Sequence, residues 1–207
     1  MFDVKSIPLG TLCEVKAGPS GSLLHDMSET PDGVPVISPP DLSEERTVDT
    51  RRLRRVPDAA RKRLERFALR GGDVLVVRQG GLGRLGLIQP EQAGWFFSSS
   101  CLRVRSHPDA GILPGYLASY LSLPRARGWL LDNALPGTVP SINSKTLMEL
   151  PVDVPPLTLQ REIIAALADV DEQISVHRRS AELLSSLRPS IFDELVKGGR
   201  ADEEADR

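Results

Sequence analysis

A cluster of basic side chains carries the most evident chemistry in this sequence. Between Arg46 and Arg70 there are ten basic and three acidic residues, so this window has a charge of +7 in a chain whose net charge is −2. The basic residues are Arg46, Arg51, Arg52, Arg54, Arg55, Arg61, Lys62, Arg63, Arg66 and Arg70. Such a field suits binding to a nucleic-acid backbone, because each neutralised phosphate releases condensed counterions. The charge alone equally allows an arginine-rich face that is merely solvated.

Four of these arginines are close neighbours in the chain: Arg51, Arg52, Arg54 and Arg55. A guanidinium stays charged at neutral pH and can donate two parallel hydrogen bonds to a phosphate. We therefore predict that these four residues contact phosphates of double-stranded DNA. Such contacts hold all duplexes alike, because a phosphate carries no direct information on base sequence.

A glycine-rich loop, Arg78-Gln79-Gly80-Gly81-Leu82-Gly83-Arg84, separates two apolar runs. Its backbone amides could cradle phosphates, but the loop matches neither GxxxxGK[ST] nor a GxGxxG that opens a helix. A second interpretation is a hairpin tip that presents Arg78, Gln79 and Arg84 to DNA, since arginine and glutamine form paired hydrogen bonds with base edges. An ordinary glycine hairpin with solvated arginines is the third alternative.

A second polar loop covers residues 137–143. Thr138, Asn143 and the following Lys145 can each bond to a base edge or a phosphate. We predict that these three side chains add to the DNA-binding surface.

No pattern of catalytic or metal-ligating residues is visible. His25, His107 and His177 are isolated from one another, and none has the cysteine or carboxylate spacing of a metal site. Cys13 and Cys101 are far apart and suggest two reduced thiols in an intracellular protein. We also find no signal peptide and no apolar run of about 20 residues that would span a bilayer. The sequence predicts a cytoplasmic, non-catalytic protein with no cofactor or metal of its own and no membrane partner.

The apolar patterns predict an α+β body followed by a helical arm. Strands are expected at residues 9–15, 34–38, 73–78, 85–88 and 95–104. Helices are expected at residues 57–67, 114–123 and 124–131. The body should end near residue 154, because a double proline and a change of periodicity follow.

The arm carries a heptad pattern typical of a coiled coil. Apolar positions alternate at spacings of four and three, with a histidine at one of them: Ile163, Leu167, Val170, Ile174, His177, Ala181 and Leu184. We predict that this seam forms a dimer or partner interface, with His177 setting the register. A helix from residue 159 to 188 would extend about 45 Å at 1.5 Å per residue. Pro189 is expected to interrupt it, and Gly198-Gly199 should close a short terminal helix.

The order of these parts resembles the specificity subunits of type I restriction–modification enzymes. Four stretches resemble the family's motifs: residues 7–18 (IPLGTLCEVKAG), 72–83 (GDVLVVRQGGLG), 151–167 (PVDVPPLTLQREIIAAL) and 187–198 (LRPSIFDELVKG). The likeness extends over nearly the whole chain. One departure is Leu159, which stands where the family often has glutamate and suggests an altered contact at the start of the arm.

The resemblance implies half of such a subunit. It implies a target recognition domain at residues 1–154 and a coiled-coil arm at residues 155–199, while the acidic residues 200–207 suggest a disordered tail. Two copies would pair into a homodimer that reads a palindromic, split target. Family members have no catalytic residues and position a methyltransferase subunit, which carries S-adenosylmethionine, and sometimes a motor-nuclease subunit. Two alternatives remain from the residues themselves: a protein–protein adaptor acting through the coiled coil, and a nucleotide-binding enzyme using the Gly80–Gly83 loop.

Overall fold

A computed structural model of the protein describes residues 4–20, 24 and 32–205. It has the mixed α and β fold that the sequence predicts, with a long C-terminal helix. The chain divides into two compact units, Met1–Ile164 and Ala165–Arg207. The first turns of the long helix therefore belong to the globular unit, although the last strand ends at Val154. None of the described helices is long and apolar enough to cross a membrane.

The first unit contains nine described strands and five short helices. The strands are β1 (Lys5–Pro8), β2 (Cys13–Ala17), β3 (Val34–Ile37), β4 (Arg54–Val56), β5 (Val74–Val77), β6 (Leu85–Leu87), β7 (Phe96–Phe97), β8 (Cys101–Ser106) and β9 (Pro151–Val154). The helices are α1 (Leu9–Leu12), α2 (Arg61–Leu64), α3 (Pro114–Leu121), α4 (Pro124–Asp132) and α5 (Ser144–Met148). The long helix is α6 (Leu157–Ala205). The strands form three sheets with the orders β1-β9, β2-β8-β5-β6 and β4-β3-β7.

The predicted hairpin around the glycine-rich loop is confirmed. Strands β5 and β6 are antiparallel, with Val74 opposite Leu87 and Val76 opposite Leu85. Val74 and Val76 face one hydrophobic core, whereas Leu75 and Val77 face a second one on the other side of the sheet. Both faces of β5 are thus covered, which explains why its sequence is apolar at every position instead of alternating.

The single strand predicted at residues 95–104 is wrong. The chain instead forms β7, which runs parallel to β3 in one sheet, and β8, which enters the four-stranded sheet. The serines between them make the turn: the Cys101 amide donates to the Ser98 carbonyl at 3.1 Å, and the Ser98 amide donates to the Ile37 carbonyl at 2.8 Å. The alternation in the sequence continues through this turn, so it does not reveal where the chain changes sheets.

The strand predicted at residues 9–15 begins later than expected. Leu9–Leu12 forms the helical turn α1, and β2 starts at Cys13. Leu9 and Leu12 are three residues apart and both buried, so one face of the turn packs into the core. The Leu9 amide also donates to the Leu150 carbonyl at 2.9 Å.

The predicted helices of the body are largely confirmed. Helices α3 and α4 occupy the two segments expected after residue 113. The segment 57–67 is helical but consists of α2 between two 3₁₀ turns, Asp58–Ala60 and Glu65–Phe67. Leu64 and Phe67 are buried, as the sequence predicts.

The interruption predicted at Pro189 is wrong, because α6 continues through it. A proline in a helix removes one backbone hydrogen bond and crowds the carbonyl four residues earlier, here that of Ser185. Both residues are exposed, so water can solvate the carbonyl that loses its partner. The helix also continues past Gly198-Gly199 to Ala205, so it does not end at the glycines as the sequence predicted. A helical glycine costs about 1 kcal/mol relative to alanine and does not by itself end a helix.

The start of α6 is fixed to the body by Gln160, whose side chain is fully buried. Its Nε2 atom donates to the carbonyls of Gly111 and Pro155, each at 2.8 Å. Its Oε1 atom accepts from the Leu113 amide, also at 2.8 Å. One amide group therefore joins the loop before α3, the turn after β9 and the first turn of α6.

Replacing Gln160 with alanine should lower the free energy of unfolding by about 2–4 kcal/mol, because it removes three hydrogen bonds and leaves backbone groups without their partner. Denaturant unfolding followed by circular dichroism measures this change. Gln173→Ala is the matched control: Gln173 lies exposed on the same helix, and its loss should change stability by less than about 0.5 kcal/mol. Equal effects at the two positions would contradict the role assigned to Gln160.

Candidate nucleic-acid interface

The segment between β3 and β4 forms an ordered loop, here called the 38–49 loop. It begins with the 3₁₀ turn Pro39–Asp41, in which the Ser38 amide donates to the Asp41 carboxylate at 2.7 Å. The Asp41 carbonyl accepts from the Asp49 amide at 2.7 Å, which brings the two ends of the loop together. The middle of the loop lies on β6, because the Leu87 amide donates to the Arg46 carbonyl at 2.8 Å.

The ends of the 38–49 loop line a first concavity with a volume of about 710 Å³. Its lining residues are Ser38, Pro40, Asp41, Asp49, Arg51, Arg52 and Arg54. Arg51 forms a two-pronged ion pair with Asp49, with Nε–Oδ1 and Nη2–Oδ2 distances of 2.9 and 2.6 Å. This pairing lowers the pKa of Asp49 to about 2. Burial has the opposite effect on the half-buried Asp41 and raises its pKa.

Three of the four arginines predicted to contact phosphates are thus brought together, and Arg55 is not. Neighbouring residues of a strand face opposite sides, so Arg54 and Arg55 of β4 diverge. Arg55 donates from Nη1 to the Gly33 carbonyl at 3.0 Å. Arg52 and Arg54 are exposed at the concavity, where Arg51 is already paired with Asp49.

The two predicted DNA-binding loops meet in the structure. Gln79, at the hairpin, forms an isolated β-bridge with Ser141 of the second loop. The Ile142 amide also donates to the Arg78 carbonyl at 3.0 Å. Gln79 is exposed and Arg78 is half-buried. Backbone hydrogen bonds therefore hold the two loops as one surface, called here the paired loops: residues 78–84 and 137–143.

The remaining predicted residues of the second loop differ in their surroundings. Thr138 and Lys145 are exposed. Asn143 instead caps α5, because its Oδ1 atom accepts from the Thr146 amide at 2.9 Å. That oxygen has a structural role which the loop sequence alone did not suggest.

A second concavity, of about 360 Å³, lies between the hairpin and the middle of the 38–49 loop. Its lining residues are Ser43, Glu44, Arg46, Gly81, Gly83, Arg84, Leu85, Ser122 and Arg127. Arg84 was predicted to bind DNA from its place in the hairpin. Sequence reasoning missed Arg127, because nothing in the pattern of α4 distinguishes it from an ordinary solvated arginine of a helix.

The two cysteines are buried and are not suited to catalysis. Burial raises the pKa of the Cys13 thiol to about 11 and that of the Cys101 thiol to about 12. A thiol that stays protonated is a poor nucleophile and a poor metal ligand. Within residues 4–20, 24 and 32–205, no group of three or more histidine, cysteine or acidic side chains could hold a metal ion. His107 and His177 are exposed, and His25 lies outside the described residues.

The chain is similar to known proteins over most of its length. It is 26% identical over 174 residues to the type I restriction enzyme EcoBI specificity subunit of Escherichia coli, a match that covers 81% of the chain and 35% of that relative. The chain therefore spans only about a third of the length of this curated relative.

Two solved structures share its fold. One, on complex assembly and conformational transition of the type I R-M system, matches with a TM-score of 0.63 and 21% identity over 89% of this chain and 43% of that chain. The HsdS subunit of Thermoanaerobacter tengcongensis matches with a TM-score of 0.59 and 19% identity over 86% of this chain and 39% of that chain. The sequence model of the protein family described as type I restriction modification DNA specificity domain matches residues 1–185, so the protein belongs to this family.

Proposed function

We propose that the protein is a non-catalytic, sequence-specific DNA recognition subunit of a type I restriction–modification or related phage-defence system, and that it acts in the cytoplasm. The observation that carries this proposal is the joining of the paired loops through the Gln79–Ser141 bridge, beside two arginine-lined concavities. Such a surface combines side chains that can reach base edges with charges that hold the backbone. Family membership supports DNA recognition as the task of this surface.

Base reading is assigned to the tip of the hairpin. Gln79 is exposed, and its amide can donate to and accept from adenine in the major groove. Arg78 can form the corresponding pair of hydrogen bonds with guanine. Thr138 and Lys145 are exposed and are assigned as further DNA contacts, whereas the amide oxygen of Asn143 is occupied in capping α5.

Backbone binding in the first concavity is assigned to Arg51, Arg52 and Arg54. The ion pair with Asp49 moderates this attraction, because the carboxylate neutralises Arg51 and repels phosphate. Asp49 would therefore limit sequence-independent affinity. Arg55, which binds the Gly33 carbonyl, is the weakest candidate of the predicted four.

The arm is assigned to assembly with a second copy of the chain and with a methyltransferase subunit. Val170, Ile174 and Leu184 are 53%, 40% and 66% exposed on α6. Since α6 continues past Pro189, Ile191 and Leu195 extend the same heptad positions and are also exposed. A seam of this kind becomes buried when a second helix packs against it. Ile163 differs, because it packs against the core of the first unit.

The catalytic steps would belong to partners. The methyltransferase subunit would carry S-adenosylmethionine, and a motor-nuclease subunit would be needed only where the system also cleaves DNA. The protein would recognise the target sequence and set the spacing between two recognition surfaces.

Removing the Asp49 carboxylate should strengthen DNA binding in general. Asp49→Asn releases Arg51, so we expect tighter binding to random duplexes and a steeper salt dependence, by up to about 0.9 in the slope of log K against log salt. Fluorescence anisotropy over a salt series measures both. The control is Asp58→Asn, which breaks an exposed pair with Arg61 in the same basic window, outside the concavity. An equal gain in DNA affinity in both variants would mean that the change in net charge, and not the release of Arg51, causes the effect.

Changing Gln79 should alter sequence preference. In Gln79→Ala, preference at one target position should fall by about 1–3 kcal/mol, while affinity for random duplex stays the same. Selection from randomised duplexes, with the methyltransferase bound, measures the preference at each position. Glu91→Ala serves as control, because Glu91 is exposed outside the paired loops. Identical preferences for wild type and Gln79→Ala would place base reading elsewhere.

Charges placed in the seam should prevent self-association. Full burial of each apolar seam residue contributes about 1.5–3 kcal/mol, so the double variant Leu167→Asp and Ile174→Asp should be a folded monomer by light scattering. The control is Val176→Asp with Leu183→Asp, which changes two exposed residues off the heptad seam. A wild-type chain that is already monomeric at micromolar concentration would refute self-pairing and leave the seam to the methyltransferase.

A further inference from the structure

We infer that the second concavity is a phosphate-binding site, in which Arg46, Arg84 and Arg127 together hold one phosphodiester group of the DNA backbone. This inference rests on the proposed function and adds to it a site that the sequence pattern did not assign. It gives Arg84 a role on the backbone instead of on a base. The three arginines come from the 38–49 loop, the hairpin and α4, so only the folded chain brings them together.

One hairpin glycine makes room for an arginine side chain, and a second lies next to another arginine. A Cβ atom at Gly83 would lie 3.0 Å from the Cγ atom of Arg127, and one at Gly81 would lie 3.7 Å from Nη2 of Arg84. Both glycines also have positive φ angles, 84° and 136°. The space beside this loop is thus occupied by two arginine side chains, which favours an anion held by guanidinium groups over a nucleotide held by the loop amides.

Arg46 has a backbone conformation that disfavours a large side chain. Its φ angle is 63°, and no other non-glycine residue in the described part of the chain has a positive φ. Glycine would adopt this conformation with less strain. The backbone is held there by the Leu87 amide, and the side chain reaches Ser122, with an Nη1–Oγ distance of 3.4 Å. A strained arginine whose guanidinium enters a cavity points to a use for that guanidinium.

The charges of the cavity favour an anion. Among the described residues, neither Arg84 nor Arg127 forms an ion pair. Arg84 donates from Nη1 to the Pro39 carbonyl at 3.2 Å, which orients the guanidinium without neutralising it. Glu44 is the one acidic residue of the lining, so three arginines leave an excess of positive charge. Planar guanidinium groups at these positions can each donate hydrogen bonds to a phosphate oxygen.

The test compares the full-length chain with Arg46→Gly and Arg127→Ala, using a labelled random duplex and a salt series. Each variant should bind several-fold more weakly, and the slope of log K against log salt should fall by about 0.9 if one phosphate contact is lost. Arg46→Gly should also keep or raise the thermal midpoint, because glycine relieves the left-handed strain. Arg161→Ala is the control, an exposed arginine that does not line the cavity.

The outcomes separate this site from the proposed function. A wild-type chain that binds no duplex at low salt would refute DNA recognition itself. Wild-type binding with unchanged slopes in both variants would refute only the phosphate site, as would a lower thermal midpoint with unchanged affinity in Arg46→Gly. A changed base preference in Arg127→Ala would make that residue a base reader. Saturable binding of inorganic phosphate or ATP, lost in Arg127→Ala without any change in duplex affinity, would assign the site to a free anion instead.

Discussion

Burial of β5 on both faces is the constraint on which the rest of the first unit depends. Its four residues alternate between two hydrophobic cores, so a shift of one residue would move every side chain into the wrong core. An ion pair with the buried Asp73 fixes the same register, since the partly exposed Arg105 of β8 binds both carboxylate oxygens of Asp73 at 2.7 Å, directly before β5. The glycine hairpin leaves β5 at its other end, so its position beside the second loop follows from this packing.

Much of the local structure could be predicted, because it follows from neighbouring residues. Apolar runs around glycines predicted the β5–β6 hairpin, and proline at the first helical position with periodic apolar residues predicted α3 and α4. The change of sheet at Ser98 depends on hydrogen bonds to Ile37, more than sixty residues earlier, and no local pattern contains it. The continuity of α6 through Pro189 was missed for a different reason: solvent can compensate a lost hydrogen bond on an exposed helix.

The candidate site, too, could be predicted from the sequence only in part. The types and spacing of Arg78, Gln79 and Arg84 identified the hairpin as a candidate surface before its neighbours were known. Whether an arginine is available to bind phosphate depends on its neighbours within the chain, and the fold sets these neighbours. Arg51 is paired with Asp49, and Arg55 donates to a backbone carbonyl. The second concavity brings together Arg46, Arg84 and Arg127 from three distant parts of the chain. The sequence gives the number of such charges, but only the folded structure shows which of them line the same cavity.

The acidic residues beside the arginines of the first concavity suggest a reason for two such units to bind DNA together. With Arg51 held by Asp49, the first concavity has one guanidinium fewer for phosphates, and each contact adds only about 0.9 to the salt slope. A single unit would then bind any one site weakly. When two units are linked through an arm, binding of the second unit to a correctly spaced target becomes intramolecular, which raises affinity without new contacts. Weak backbone binding also keeps one lost base contact, about 1–3 kcal/mol, from being masked by sequence-independent attraction. In the proposed dimer, tight and selective binding therefore comes from the spacing that the arm sets, and additional arginines at the surface would raise affinity at the expense of selectivity.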